Sequence, residues 1–118
     1  MTSKTIFEVK SLDAPDVESS TDHGVLDVGN PHGATVARAV LQPGWRWSTD
    51  VAPLLETRSC QTAHTSYIVS GRFHVRMDDG REHGFGPGDA RVVGPGDDAW
   101  VVGDELTREQ ILAEVSTA

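Results

Sequence analysis

Only one cysteine, Cys60, occurs in the chain. No internal disulfide can form, and that cysteine usage fits the reducing cytoplasm. Long apolar runs are missing as well, since none approaches the ~20 residues that a membrane-spanning helix requires. The first ten residues, MTSKTIFEVK, lack the apolar stretch of a secretion signal. Cations are scarce: 10 Lys and Arg stand against 18 Asp and Glu, for a formal net charge of -8. A surface of that sign repels phosphate backbones and anionic lipid headgroups, so neither nucleic acid nor membrane is an expected partner. Helical periodicity is nearly absent, and there is no internal repeat, low-complexity segment, nucleophile elbow or phosphate loop. Gly84-x-Gly86-x-Gly88 contains Pro87 and precedes no helix, so it reads as a turn.

What the chain does have is short strand-like segments between strong turns. Its 118 residues suit one domain spanning 1–118. A chain of this size buries roughly two-thirds of its unfolded surface, so a bound metal would serve function and not folding. Thr5–Val9 reads as a first strand, followed by a Pro/Asp/Ser-rich loop from Ser11 to Asp22. Val25–Val28 and Ala34–Leu41 read as two strands of a hairpin around Gly29-Asn30-Pro31-His32-Gly33. Trp45-Arg46-Trp47 alternates like a half-buried strand. Ser66–Ser70 and Arg72–Met77 follow, the latter with Phe73, Val75 and Met77 on one face. Turns at Asp78-Asp79-Gly80, Gly84–Asp89 and Gly94–Asp98 then punctuate strands at Ala90–Val93 and Trp100–Val102. Thr107–Val115 reads either as a short helix or as a closing strand. Many short strands at even spacing indicate an all-β sandwich or barrel.

The run from Pro43 to Glu105 resembles the cupin superfamily, whose first motif is G-x5-H-x-H-x3,4-E-x6-G and whose second is G-x5-P-x-G-x2-H-x3-N. Ser70-Gly71-Arg72-Phe73-His74-Val75 occupies the end of the first, and Gly88-Asp89 with Gly94-Pro95-Gly96 most of the second. Counting back from Gly71 puts His64 at the usual glutamate and Cys60 and Arg58 at the two usual histidines, while the second motif's histidine falls on Ala99. A narrower group of small cupins is similar in Pro43-Gly44-Trp45-Arg46-Trp47-Ser48, Cys60-x3-His64, Asp78-Asp79-Gly80 and Asp98–Glu105, with histidine where this chain has Asp97. The resemblance implies an antiparallel double-stranded β-helix, or jelly-roll barrel, with a motif-bearing core at about 34–105. It also implies a homodimer, with Trp45 as an apolar anchor for the interface.

Against that background Cys60, His64 and Asp97 form a candidate set of ligands for a divalent transition metal: zinc, iron, nickel or copper. Four residues on a straight strand span roughly 13 Å, so Cys60 and His64 can meet only if the chain bends between them, as the cupin motif implies. The alternative makes Cys60 a small buried residue and His64 a hydrogen-bonded one. Arg58 shares strand parity with Cys60 and would hold a ligand carboxylate or phosphate, or else pair with one of the many acids. Trp47 and Trp100 would line a ligand pocket or pack in the core. His23, His32, His74 and His83 read as solvated. Three functions stay open: a metal-dependent oxygenase- or isomerase-type enzyme on a small metabolite, a metal-free ligand-binding or regulatory module, and a dimer unit whose barrel is filled by its own side chains.

Overall fold

Alternating apolar and polar residues between turn-forming glycines favour pleated strands with one buried face. The computed structural model describes residues 5–55 and 64–112. Among these, nine strands occur: β1 (Val17–Thr21), β2 (Gly24–Gly29), β3 (Val36–Leu41), β4 (His64–Ser70), β5 (Phe73–Met77), β6 (Glu82–Phe85), β7 (Ala90–Val93), β8 (Asp97–Val101) and β9 (Thr107–Leu112). Two one-turn helices, α1 (Trp47–Asp50) and α2 (Ala52–Leu55), follow β3. Among the described residues no helix is long and apolar enough to cross a membrane.

Every pairing is antiparallel. Six strands form one sheet in the order β1-β2-β3-β9-β4-β7, and three form a second in the order β6-β5-β8. Inward-facing residues of both sheets share a single core: Ala39 and Leu41 of β3, Ile68 of β4, Val93 of β7, Phe73 and Val75 of β5, and Ala99 and Val101 of β8. The period-two reading of Arg72–Met77 holds, with Phe73 and Val75 buried and Arg76 exposed. Gly71, between β4 and β5, has φ +81°, and a Cβ there would lie 2.2 Å from Thr107 Oγ1. That contact packs the turn directly onto β9.

Several expectations are corrected. Thr5–Val9 is not a strand, and the segment read as a loop contains β1, whose Val17–Thr21 pairs with β2 across an Asp22-His23 turn. β6 forms where only turns were expected, because β5 supplies its pairing partner from Phe73 to Arg76. Of the two readings open for the C-terminal segment, the closing strand is the one found, over Thr107–Leu112, gripped on one side by β3 and on the other by β4. Trp45-Arg46-Trp47 makes only one bridge, Arg46 to Trp100, before turning into α1. Asp50 causes the turn: its Oδ2 accepts a hydrogen bond from the Arg46 N–H at 2.9 Å, while Asp98 Oδ1 accepts one from the Ser48 N–H at 3.0 Å. Both carboxylates satisfy otherwise orphaned amides at the helix start.

Candidate ligand cavity

Two inward positions of β3, Ala37 and Ala39, carry small side chains. Gly24 faces Leu41, Ala39 faces Leu26 and Ala37 faces Val28 in the β2–β3 register. Barrels of this size are ordinarily filled by their own side chains. With alanine at positions 37 and 39, where larger apolar residues would reach further inward, a cavity of about 480 Å³ remains between β1–β3, β9 and the opposite wall. That space argues against the filled-barrel reading. Trp45 and Trp47 form part of that opposite wall with Phe73 and Ala99, and Val51 and Leu54 contribute from the α1–α2 segment. Leu54 and Val25 both line the cavity and are exposed, which places its mouth beside α2 and β2. A groove of about 550 Å³ between β5, β6 and β7 has largely exposed walls, including Arg81, His83 and Val92. A predominantly apolar lining, not volume, makes the first the better site.

Three charged residues line the apolar cavity: Arg91, Glu109 and Asp97. Their positions follow from register. Arg91 on β7 faces Ser66 on β4, which faces Ile111 on β9, and Glu109 lies two residues along β9 on the same face. The Arg91 guanidinium donates from Nη2 to Glu109 Oε2 at 2.6 Å and from Nε to Ser66 Oγ at 2.9 Å. It also lies against the rings of Phe73 and Phe85, 5.1 and 5.0 Å from their centroids. The side chains of Arg91 and Glu109 are only 4% and 5% exposed. Nη1 is buried and has no hydrogen-bond partner among the described residues. Burying an ion pair costs several kcal/mol per ion before attraction offsets it, and leaving a buried donor unsatisfied adds about 1–3 kcal/mol.

Of the residues singled out from sequence, Trp47 lines the cavity and is buried. Trp100 does not line it. Asp97, Ala99 and Val101 take the inward positions of β8, so Trp100 points outward, 4.9 Å from the His74 ring with the Arg46 guanidinium 4.4 Å above it. Trp45, expected at a dimer interface, is buried within the chain, edge-on to Phe73 at 5.7 Å. Among the histidines, His23 bonds Asp50 at 2.8 Å and His74 bonds Glu82 at 2.7 Å.

Asp97 is 3% exposed and lines the cavity. His64 opens β4 opposite Val93. Arg58 and Cys60 lie outside the described residues, as does the expectation that both share one cavity with His64. Thiolate, imidazole and carboxylate are chemically suited to a transition metal. Among the described residues, however, no three His, Cys, Asp or Glu side chains come together as a metal site would require. Asp97 is thus the one member of the proposed set with a described side chain.

Sequence reasoning missed Arg91 and Glu109. Each carried a usable signal, a charge sharing strand parity with buried neighbours: Arg91 with Val93, and Glu109 with Thr107.

No family model matches the chain, and no curated protein matches it. Solved structures do share its architecture. An uncharacterised conserved protein with a double-stranded β-helix domain from Klebsiella pneumoniae superposes with TM-score 0.60 at 18% identity, over 100% of this chain and 93% of that one. The oxalate decarboxylase of Lactobacillus farciminis, in a formate complex, gives TM-score 0.65 at 11% identity, over 100% of this chain and 36% of that one. The polyketide cyclase RemF from Streptomyces resistomycificus gives 0.57 at 16% identity, over 81% and 68%. At such identities the likeness speaks to architecture alone, and on that evidence the chain is an antiparallel all-β protein with the double-stranded β-helix fold of the cupin-like proteins.

Proposed function

We infer that this chain binds a small organic molecule inside its barrel, and that its place within the fold is with the small cupins sharing Cys60-x3-His64 and Asp98–Glu105. One observation carries the reading: an apolar cavity of about 480 Å³ is left open beside Ala37 and Ala39 while a buried arginine lines its wall. Ligand sites commonly have a few hundred Å³, mostly apolar walls and a small number of placed polar groups. Keeping such a space open forfeits packing that larger side chains would supply, which a binding role accounts for. The fold also serves enzymes, among them a polyketide cyclase and an oxalate decarboxylase. Turnover is therefore the second half of the proposal, and a cytoplasmic location is part of the same reading.

Trp45 and Trp47 give the test its signal, because both line the cavity. Titration with small aromatic and aliphatic molecules is expected to change their fluorescence saturably in wild type. The response is expected to disappear in Ala39→Phe, a variant that keeps its β-rich circular dichroism. A saturable response of equal size in that variant would place binding elsewhere and sink the proposal.

The metal-dependent version has its own test. Protein purified without a histidine tag would carry stoichiometric zinc, iron, nickel or copper, lost in His64→Ala and tightened for zinc, nickel or copper in Asp97→His. Equal background metal in all three proteins would leave a metal-free binding module as the function.

A further inference from the structure

We propose that the occupant is an electrically neutral, largely apolar molecule whose carbonyl or phenolic oxygen accepts a hydrogen bond from Arg91, and that carboxylates and phosphates are refused. The inference rests on the barrel-binding reading and names its ligand class. Arg91 is the lining's described cation, and Glu109 already neutralises it at 2.6 Å. An incoming carboxylate would have to compete with Glu109 inside a low-dielectric wall, where placing a second anion beside the first is costly. A neutral oxygen meets no such opposition. It would also satisfy Nη1, the one guanidinium nitrogen without a partner among the described residues.

The geometry supports a donor that is held in place. Nε and Nη2 are fixed by Ser66 and Glu109, and Phe73 and Phe85 pack against the guanidinium. Nη1 itself has almost no free surface in this conformation, so receiving an oxygen takes movement of the neighbouring side chains that cover it, while Nε and Nη2 keep their bonds to Ser66 and Glu109. The rest of the recognition is apolar contact with residues such as Leu26, Leu41, Trp45, Trp47 and Ile111. That combination selects for a body that fills the barrel and one neutral acceptor at its Arg91 end.

Three probes of nearly equal shape separate the possibilities: 2-acetylnaphthalene, 2-ethylnaphthalene and 2-naphthoate, titrated calorimetrically into the full chain at neutral pH. The ketone is expected to bind about tenfold or more tighter than the hydrocarbon, as a hydrogen bond from a charged donor allows, with naphthoate weakest. In Arg91→Met the ratio of ketone to 2-ethylnaphthalene affinity should fall to about one, whatever the change in absolute affinity. In Glu109→Gln naphthoate should gain at least about tenfold, because the guanidinium charge is then uncompensated. Wild type preferring naphthoate to the ketone would overturn the neutral-ligand assignment and reveal an anion site. Equal affinity for ketone and hydrocarbon would overturn the role of Arg91 while leaving the barrel reading intact. Failure of all three probes to bind would overturn both. If either variant fails to fold, the wild-type order of the probes still decides.

Discussion

At Gly71 a methyl group would sit 2.2 Å from Thr107 Oγ1 and 2.5 Å from Thr107 Cα, at a φ of +81°. Thr107 is fully buried, so neither neighbour can yield cheaply. Gly71→Ala is expected to cost about 2–4 kcal/mol, read as a lowered urea midpoint at unchanged slope. A loss below half a kcal/mol would mean that the turn relaxes freely. The Arg91–Glu109 pair makes a different prediction. Arg91→Met and Glu109→Met should each destabilise by about 3–5 kcal/mol, because each strands a buried charge, while the double variant should recover most of that loss. Additive losses in a denaturation cycle would show that the two residues do not act as a pair. These two sites differ in how visible they are beforehand. Gly71 sits at a turn whose spacing marks it, whereas the Arg91–Glu109 contact joins β7 to β9 across β4, a neighbourhood that only the sheet order creates.

Segments that carry their own pattern are the ones legible in advance. Ala90–Val93 is a strand with the limits its composition suggests, and Phe73–Met77 follows the strict alternation expected of it. β6, whose Glu82-His83-Gly84-Phe85 has little strand propensity, exists because β5 pairs with it, which is tertiary context overriding local preference. α1 was hidden for the opposite reason: the alternation through Trp47 is real, but Asp50 and Asp98 bend the chain immediately afterwards. Asp98 also accepts from Ser48 Oγ and from the Arg46 side chain, so Asp98→Ala is expected to destabilise by about 1–3 kcal/mol and to loosen the α1–α2 wall. Hydrogen exchange should show the loss at Ser48–Val51 before it appears in the sheet, and uniform acceleration across all strands would contradict this. The start of β1 is expected to respond to pH through Asp16. Hydrogen bonding to the Asn30 N–H at 2.7 Å, together with Lys10, holds the Asp16 carboxyl below its ordinary value of 3.8. With the folded pKa depressed, the contact stabilises the native state above 3.8 and is lost as pH falls through the folded value. A carboxyl NMR titration should place the Asp16 midpoint below 3.8, with the Asn30 amide shift moving in step. A midpoint at or above that value would remove Asp16 as the tie.

For the molecule as a whole the open partner is a second copy of the chain. A homodimer is still proposed, but Trp45 cannot anchor it, because that side chain is spent on the cavity wall and Phe73. The better anchors lie on the outer face of the six-stranded sheet. There Leu112 faces Thr65, Thr65 faces Val92, and Tyr67 stands on the same outward side of β4. Leu112, Val92 and Tyr67 are all exposed, a grouping of apolar surface that a monomer would ordinarily avoid on one face. Burying it between two copies would supply the apolar interface core, while the net charge of -8 on each copy opposes the approach. The two contributions respond oppositely to ionic strength, since added salt screens the repulsion and leaves apolar burial in place. Light scattering across a concentration series should therefore report twice the chain mass, with the dimer tightening as salt rises. Val92→Lys combined with Tyr67→Lys should shift the population to monomer without altering circular dichroism, because both side chains already face water. A concentration-independent monomer in wild type would remove the dimer, and a dimer indifferent to the double substitution would move its interface off this face.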